Sequence, residues 1–139
     1  MTIRDCYVYG DMLADGDAGG IVGRVSSGNI SIINCFVKAD IETSATAFGA
    51  GAAGGIVAQT DNGVYCFISG CYFNGTLKGV SGIGGIAGNL GGIGIIENCV
   101  STGEIMGVGL ARGGIAGATM AAAIKNCYTR SKKGHRGQR

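Results

Sequence analysis

Residues 32–41 read Ile32-Ile33-Asn34-Cys35-Phe36-Val37-Lys38-Ala39-Asp40-Ile41, and this stretch decides the fold. From the cysteine onward its small and apolar residues alternate: Cys35, Val37, Ala39 and Ile41 share one side, Lys38 and Asp40 the other. A period of two marks a strand with one face turned inward, and helical spacing fits much worse. The same alternation follows three further cysteines, as Cys6, Val8, Gly10, Met12, as Cys71, Phe73, Gly75, Leu77 and as Cys99, Ser101, Gly103, Ile105. Asp11, Thr76 and Glu104 then join Lys38 and Asp40 on the opposite face.

The stretch is one copy of a repeat. Ile-x-(Asn/Asp/Gly)-Cys occurs at Ile3–Cys6, Ile32–Cys35, Ile68–Cys71, Ile96–Cys99 and Ile124–Cys127, with cysteine spacings of 29, 36, 28 and 28 residues. A second signature, Gly-Gly-Ile-(Val/Ala)-(Gly/Ala), begins at Gly19, Gly54, Gly84 and Gly113, at spacings of 35, 30 and 29. Two motifs that keep one order and one period define an internal repeat. With 29 glycines in the chain, a helical repeat is excluded, since each interior glycine costs about 1 kcal/mol against alanine. A short strand-rich unit cannot close a core alone, whereas units stacked about 4.8 Å apart pair their backbones and bury equivalent side chains together. The expected fold is all-β, a parallel β-helix (β-solenoid) of four to five Gly-rich coils, with Ile21, Ile56, Ile86 and Ile115 stacked in its core. Asp5, Asn34, Gly70, Asn98 and Asn126, each just before a cysteine, are expected to turn a corner in the left-handed backbone region, with the asparagines also bonding along the stack. The extra residues of the longest copy are assigned to loops at Glu42–Ala53 and Thr60–Phe67.

Composition agrees with one folded unit. At 139 residues no second domain is required, and 46% apolar content excludes the low hydrophobicity of a disordered chain although only 14% of residues are charged. Arg130, Lys132, Lys133, Arg136 and Arg139 lie in the last ten residues; without these five, six basic residues face nine acidic ones, a net charge of −3. The division is therefore repeats over 1–129 and a basic, disordered tail over 130–139. A basic tail on an acidic body gives no nucleic-acid-binding face. The N-terminal residues show no basic region followed by an apolar one, so no secretory signal is legible. Residues 79–96, uncharged but with eight glycines, make no membrane span.

The Gly20-Ile21-Val22-Gly23, Gly85-Ile86-Ala87-Gly88 and Gly114-Ile115-Ala116-Gly117 quartets resemble the core of the GLUG repeat family. Ile replaces the family's Leu throughout, and Ala58 takes the last glycine position in the second copy. The resemblance covers nearly the whole chain ahead of the tail. It implies the repeat region of a large secreted or surface-attached bacterial protein, adhesin-like or IgA-peptidase-like, lying outside any catalytic centre. An extracellular or cell-surface location follows from the resemblance alone.

The chemistry-bearing residues give no catalytic, cofactor-binding or metal constellation. Cys6, Cys35, Cys71, Cys99 and Cys127 recur at one repeat position, where parallel Cβ vectors oppose the convergence a disulfide needs, so five buried free thiols are expected. Cys66 lies outside this series and is placed in the insertion; without a CxxC pair, zinc has little support. Gly49-Ala50-Gly51-Ala52-Ala53-Gly54 matches G-x-G-x-x-G but lacks the preceding hydrophobic strand and following helix of a dinucleotide site. The single histidine, His135, sits in the tail, so triads have no base to use. Asp11, Asp40 and Glu104 could serve a carbohydrate-active β-helix enzyme, though such residues are more often a solvated face. Thr is too sparse for an ice-binding ladder.

Tyr7, Phe36, Tyr72 and Tyr128, with Val100, follow the cysteine in each copy. They are either a surface-binding stripe for sugar rings or a protein partner, or residues turned against their neighbours at the corner. The function expected is a non-catalytic structural or adhesive segment that meets a host or cell-surface glycan or protein, the alternative a carbohydrate-active enzyme or glycan-binding module. Neither terminal copy carries a polar cap, which leaves two expectations: a fragment of a longer solenoid, or end-to-end self-association.

Overall fold

The computed structural model describes residues 1–44, 51–107 and 111–130, and among these the chain is all-β, with no helix. It enters on β1 (Thr2–Arg4) and runs through β2 (Tyr7–Ala14), β3 (Ala18–Gly19) and β4 (Val22–Val25). The same order returns as β5 (Asn29–Ile33), β6 (Phe36–Thr43), β7 (Ala53–Gly54) and β8 (Val57–Thr60). It returns again as β9 (Tyr65–Ser69), β10 (Tyr72–Gly79), β11 (Ile83–Gly84) and the single long β12 (Ala87–Glu97). β13 (Val100–Ser101), β14 (Glu104–Gly107), β15 (Arg112–Gly113), β16 (Ala116–Lys125) and β17 (Tyr128–Thr129) complete the chain.

All pairings are parallel and fall into three sheets that curl around a shared core. The first holds seven strands around β1-β5-β9-β12, the second six around β2-β6-β10-β13-β17, and the third four, β3-β7-β11-β15. Each strand pairs with its counterpart one repeat away: Tyr7 with Phe36, Phe36 with Tyr72, Tyr72 with Val100 and Val100 with Tyr128. Ala18, Ala53, Ile83 and Arg112 form the matching row of the third sheet. The sequence spacings of the two motifs are therefore the registers of two sheets. Ile21, Ile56, Ile86 and Ile115 follow one another through backbone hydrogen bonds of 3.0, 2.9 and 2.8 Å, with Ile56 and Ile86 fully buried.

Glycine pairs close this arrangement by leaving no room for a side chain. A Cβ at the first glycine of each motif would strike the carbonyl three residues on, Val22 for Gly19 and Val57 for Gly54. The second glycine lies under an inward side chain of the second sheet. A Cβ there would stand 2.7 Å from Val37 Cγ1 at Gly20, 2.6 Å from Ser101 Cβ at Gly85 and 2.6 Å from Thr129 Oγ1 at Gly114. Corners before the cysteines take the left-handed region throughout, with φ of 58° at Asp5, 54° at Asn34, 67° at Gly70, 55° at Asn98 and 51° at Asn126. Asn and Asp tolerate this conformation better than other side-chain-bearing residues because their short polar groups bond locally.

The core carries Ile32, Val37, Ile41, Ile68, Phe73, Leu77 and Ile96, with the alternation of β6 written in its burial: Val37, Ala39, Ile41 and Thr43 in, Lys38, Asp40 and Glu42 out. Among the described residues no buried side-chain polar atom lacks a hydrogen-bond partner. Thr43 Oγ1 donates to the Gly16 carbonyl at 2.6 Å, and Thr60 Oγ1 accepts from the Gly91 amide at 3.1 Å.

Two loop assignments change. Tyr65–Phe67 belong to β9, pairing with Asn29–Ser31, so only residues 61–64 leave the sheet between β8 and β9. Strand pairing wins because Cys66 is buried in the core, in register between Ile30 and Gly94. Cys66 is thus a core thiol in the row Ile30, Cys66, Gly94, Ala122 rather than an insertion residue. Glu42, Thr43 and Ala53 likewise belong to strands, while residues 45–50 of the other assigned loop lie outside the described residues. So do Gly49 of the G-x-G-x-x-G match, His135 and the tail from residue 131.

All six cysteines are free. Cys35, Cys71 and Cys99 are buried, whereas Cys6 and Cys127 are only half-buried because they have a neighbouring copy of the repeat on one side. Their environments repeat: each thiol points at the carbonyl two residues back, over distances from 3.2 Å at Cys99 to 3.5 Å at Cys35 and Cys71. Cys71, Cys99 and Cys127 also face a carbonyl of the preceding copy, Ile32 at 3.6 Å, Ile68 at 3.9 Å and Ile96 at 3.6 Å. Burial raises the Cys35 thiol and pushes Cys66 up to about 12. A hydrogen bond to Cys71, together with burial, holds Cys99 well above the ordinary thiol range.

Candidate binding face

The outward side of the second sheet gathers the polar and aromatic residues that the alternation assigns there. Its first row is Tyr7, Phe36, Tyr72, Val100 and Tyr128, in register across β2, β6, β10, β13 and β17. Tyr7 and Phe36 meet edge to face at 4.9 Å between centroids, and Phe36 and Tyr72 at 4.7 Å with a 31° tilt. Such contacts fix ring orientation. Tyr7 is 64% exposed and Tyr128 55%, with Phe36 and Tyr72 half-buried between neighbours. The rings pack on one another and still open to solvent. Val100 separates Tyr128 from the other three.

A second row, Tyr9, Lys38 and Asn74, lies two residues further along the strands. Tyr9 is 71% exposed; it lies 6.4 Å from the Tyr7 ring, and Lys38 Nζ sits 5.8 Å from its centroid in cation–π range. The aromatic surface therefore turns a corner, from the Tyr7 row into the Tyr9 row. Sequence reasoning missed Tyr9 because only one copy carries an aromatic ring there; the signal was its outward parity with Lys38.

Asp11, Asp40, Thr76 and Glu104 form the third row, in direct register. Thr76 donates to Asp40 Oδ1 through both its amide, 3.1 Å, and its hydroxyl, 2.9 Å. Beyond it, Lys78 reaches Glu42 at 3.8 Å across an exposed position. Between the second and third rows runs a groove of about 440 Å³, walled by Tyr9, Lys38 and Asn74 on one side and Asp11 and Asp40 on the other. Gly10, Ala39 and Gly75 make its floor. Gly10 and Gly75 have φ of 137° and 148°, a conformation that L side chains rarely adopt, and a Cβ at Gly75 would strike the Ala39 carbonyl. A second groove of about 490 Å³ shares Asp11 and Asp40 and continues to Thr76, Lys78 and Met106.

Rings, carboxylates, an amide and an ammonium group along one open groove can stack on and hydrogen-bond to a polyhydroxylated chain. Among the described residues no group of three His, Cys, Asp or Glu is arranged to hold a metal ion, and no helix is long and apolar enough to cross a membrane. Compared with protein-family models, curated proteins and solved structures, the chain matches none.

Proposed function

We propose that this chain is a β-solenoid segment with a structural or adhesive role in a bacterial surface or secreted protein, and that it meets glycan or protein partners through the outward face of the second sheet. The observation that carries the reading is the direct register of equivalent residues, copy after copy, which sets Tyr7, Phe36 and Tyr72 in one contacting row on an open face. Such a row repeats at the strand spacing of about 4.8 Å, so a ligand with its own short repeat could meet several coils at once. The GLUG-like quartets support the surface setting by resemblance. A glycan array probed with the purified chain tests the proposal. Binding that falls when Tyr7 and Tyr9 are both changed to Ala is the expected result, whereas binding untouched by those changes counts against this face.

One observation favours a second reading, a carbohydrate-active enzyme: Asp11 and Asp40 stand side by side in the groove. Two carboxylates one strand apart approach the separation of about 5 Å used by retaining glycosidases. Release of reducing ends from polysaccharides, abolished by Asp40→Asn, would favour this enzyme over the non-catalytic segment.

A further inference from the structure

Two Asn-Gly pairs occur in the sequence, Asn62-Gly63 and Asn74-Gly75, and the fold treats them in opposite ways. A glycine amide nitrogen, with no side chain beside it, can attack the carboxamide carbon of the preceding asparagine when the backbone is free to bring the two together. Asn29, Asn34, Asn89, Asn98 and Asn126 precede Ile, Cys, Leu, Cys and Cys, whose side chains shield that nitrogen.

Asn62 and Gly63 form the exposed tip of the turn between β8 and β9. The Val64 amide donates to the Asp61 carbonyl at 3.2 Å across the tip, and Gly63 takes φ of 86° while Asn62 keeps a negative φ, as in a type II turn. Among the described residues no acceptor takes the Gly63 amide, and a Cβ at Gly63 would meet nothing within 4 Å. Asn74-Gly75 instead lies inside β10, in register with Lys38 and Ala39 of β6, and a Cβ at Gly75 would strike the Ala39 carbonyl. There the carboxamide reaches the glycine nitrogen only if the strand unpairs.

We propose that Asn62 is a self-modification site, converted with Gly63 and water to a mixture of isoaspartate and aspartate. The Gly63 nitrogen loses its proton and bonds to Asn62 Cγ; the Cγ–Nδ2 bond breaks, and ammonia leaves with a proton. Water then opens the cyclic imide at either carbonyl, and no oxidation state changes. Opening at the main-chain carbonyl routes the backbone through the side chain and adds a methylene to the turn. The turn has no slack towards the sheet: a Cβ at Gly91 of β12 would lie 2.6 Å from the Thr60 carbonyl oxygen and 3.4 Å from the Asn62 nitrogen. The added length therefore bulges into solvent. A new carboxylate also appears next to Asp61, which already holds Arg24 at 2.8 Å, and on the rim of a polar depression of about 550 Å³ lined by Ser26, Gln59 and Asn89.

The test is timed incubation of the purified full chain in warm neutral buffer, folded and in denaturant, followed by digestion and mass spectrometry. Conversion shows as the mass difference between amide and acid, and isoaspartate as methyl label from an isoaspartyl carboxyl-methyltransferase. Asp15-Gly16 can take the same label through its own cyclic imide, but without the mass change, so the peptide map separates the two. In the folded protein Asn62 should convert within about tenfold of its rate in denaturant, whereas Asn74 should be slowed by more than about tenfold. Asn62→Gln should lose both signals from this peptide. Conversion of Asn62 only in denaturant, or conversion of Asn74 as fast as Asn62 in the folded protein, would overturn the site. Should Asn62→Gln fail to fold, the ratio of folded to unfolded rates in the unmodified protein decides.

Discussion

Gly55 lies directly beneath Phe73: a Cβ at Gly55 would stand 2.7 Å from Phe73 Cβ and would also strike the Gly85 carbonyl of the next copy. The second collision is with backbone, which cannot swing aside. Gly55→Ala should therefore destabilise by about 1–3 kcal/mol or more, the usual cost of overpacking. Shrinking the ring with Phe73→Val should not restore stability in the double variant, because the carbonyl contact remains. Phe73→Ala alone should cost about 3–5 kcal/mol by opening a cavity. Urea denaturation of the three variants measures this, and a neutral Gly55→Ala would show that the approach is not tight.

Asn34 has φ of 54° and forms the corner between β5 and β6, just before Cys35. Placing alanine in the left-handed region costs about 1–2 kcal/mol, whereas glycine enters it freely. Asn34→Ala should destabilise by that amount and Asn34→Gly by much less; Gly70 already occupies the equivalent corner, at φ 67°. Equal losses for the two substitutions would mean that the asparagine contributes a side-chain bond instead of a backbone conformation.

How far the sequence led depended on whether a feature was repeated. The corners, the alternation from Cys35 to Ile41 and the registers of the second and third sheets were legible because each copy restates them. β9 was not, since the turn at residues 61–64 interrupts a strand that runs unbroken as β12 in the next copy, across a bulge between Leu90 and Ile93. One interrupted copy looks like an insertion when read alone. Tyr9 and the groove beside it were hidden for a related reason: the groove joins Tyr9, Lys38 and Asn74, three residues with no common character until register aligns them.

The thiols should divide into two classes. Cys6 and Cys127 are half-buried, while Cys35, Cys66, Cys71 and Cys99 are buried, and a buried neutral thiol is a poor nucleophile. An aromatic disulfide reagent should then modify two cysteines in the native protein and the other four only after denaturant is added. Mass spectrometry of digested samples identifies them. Rapid native modification of Cys71, or a disulfide between Cys71 and Cys99 in freshly purified protein, would contradict the packing.

Cys66 contributes to the loss of stability at alkaline pH. Buried at 1% exposure between Ile30 and Gly94, its thiol is pushed up to about 12 from an ordinary 9.0, first by burial and then by the nearby Cys71. The folded state therefore keeps the proton that the unfolded state releases near pH 9. The contribution is fully present below about pH 9 and is lost as pH rises towards about 12, and at 1.36 kcal/mol per pH unit it amounts to about 4 kcal/mol. Every other group is common to wild type and variant, so the difference between two proteins isolates Cys66. Cys66→Ala should be less stable at pH 8 because it leaves a small void, yet its stability should fall less steeply between pH 9 and 12. Denaturant unfolding at half-unit intervals, without oxygen to prevent thiolate oxidation, gives both curves. Parallel curves would mean that the Cys66 thiolate is solvated in the fold and that burial does not hold its proton.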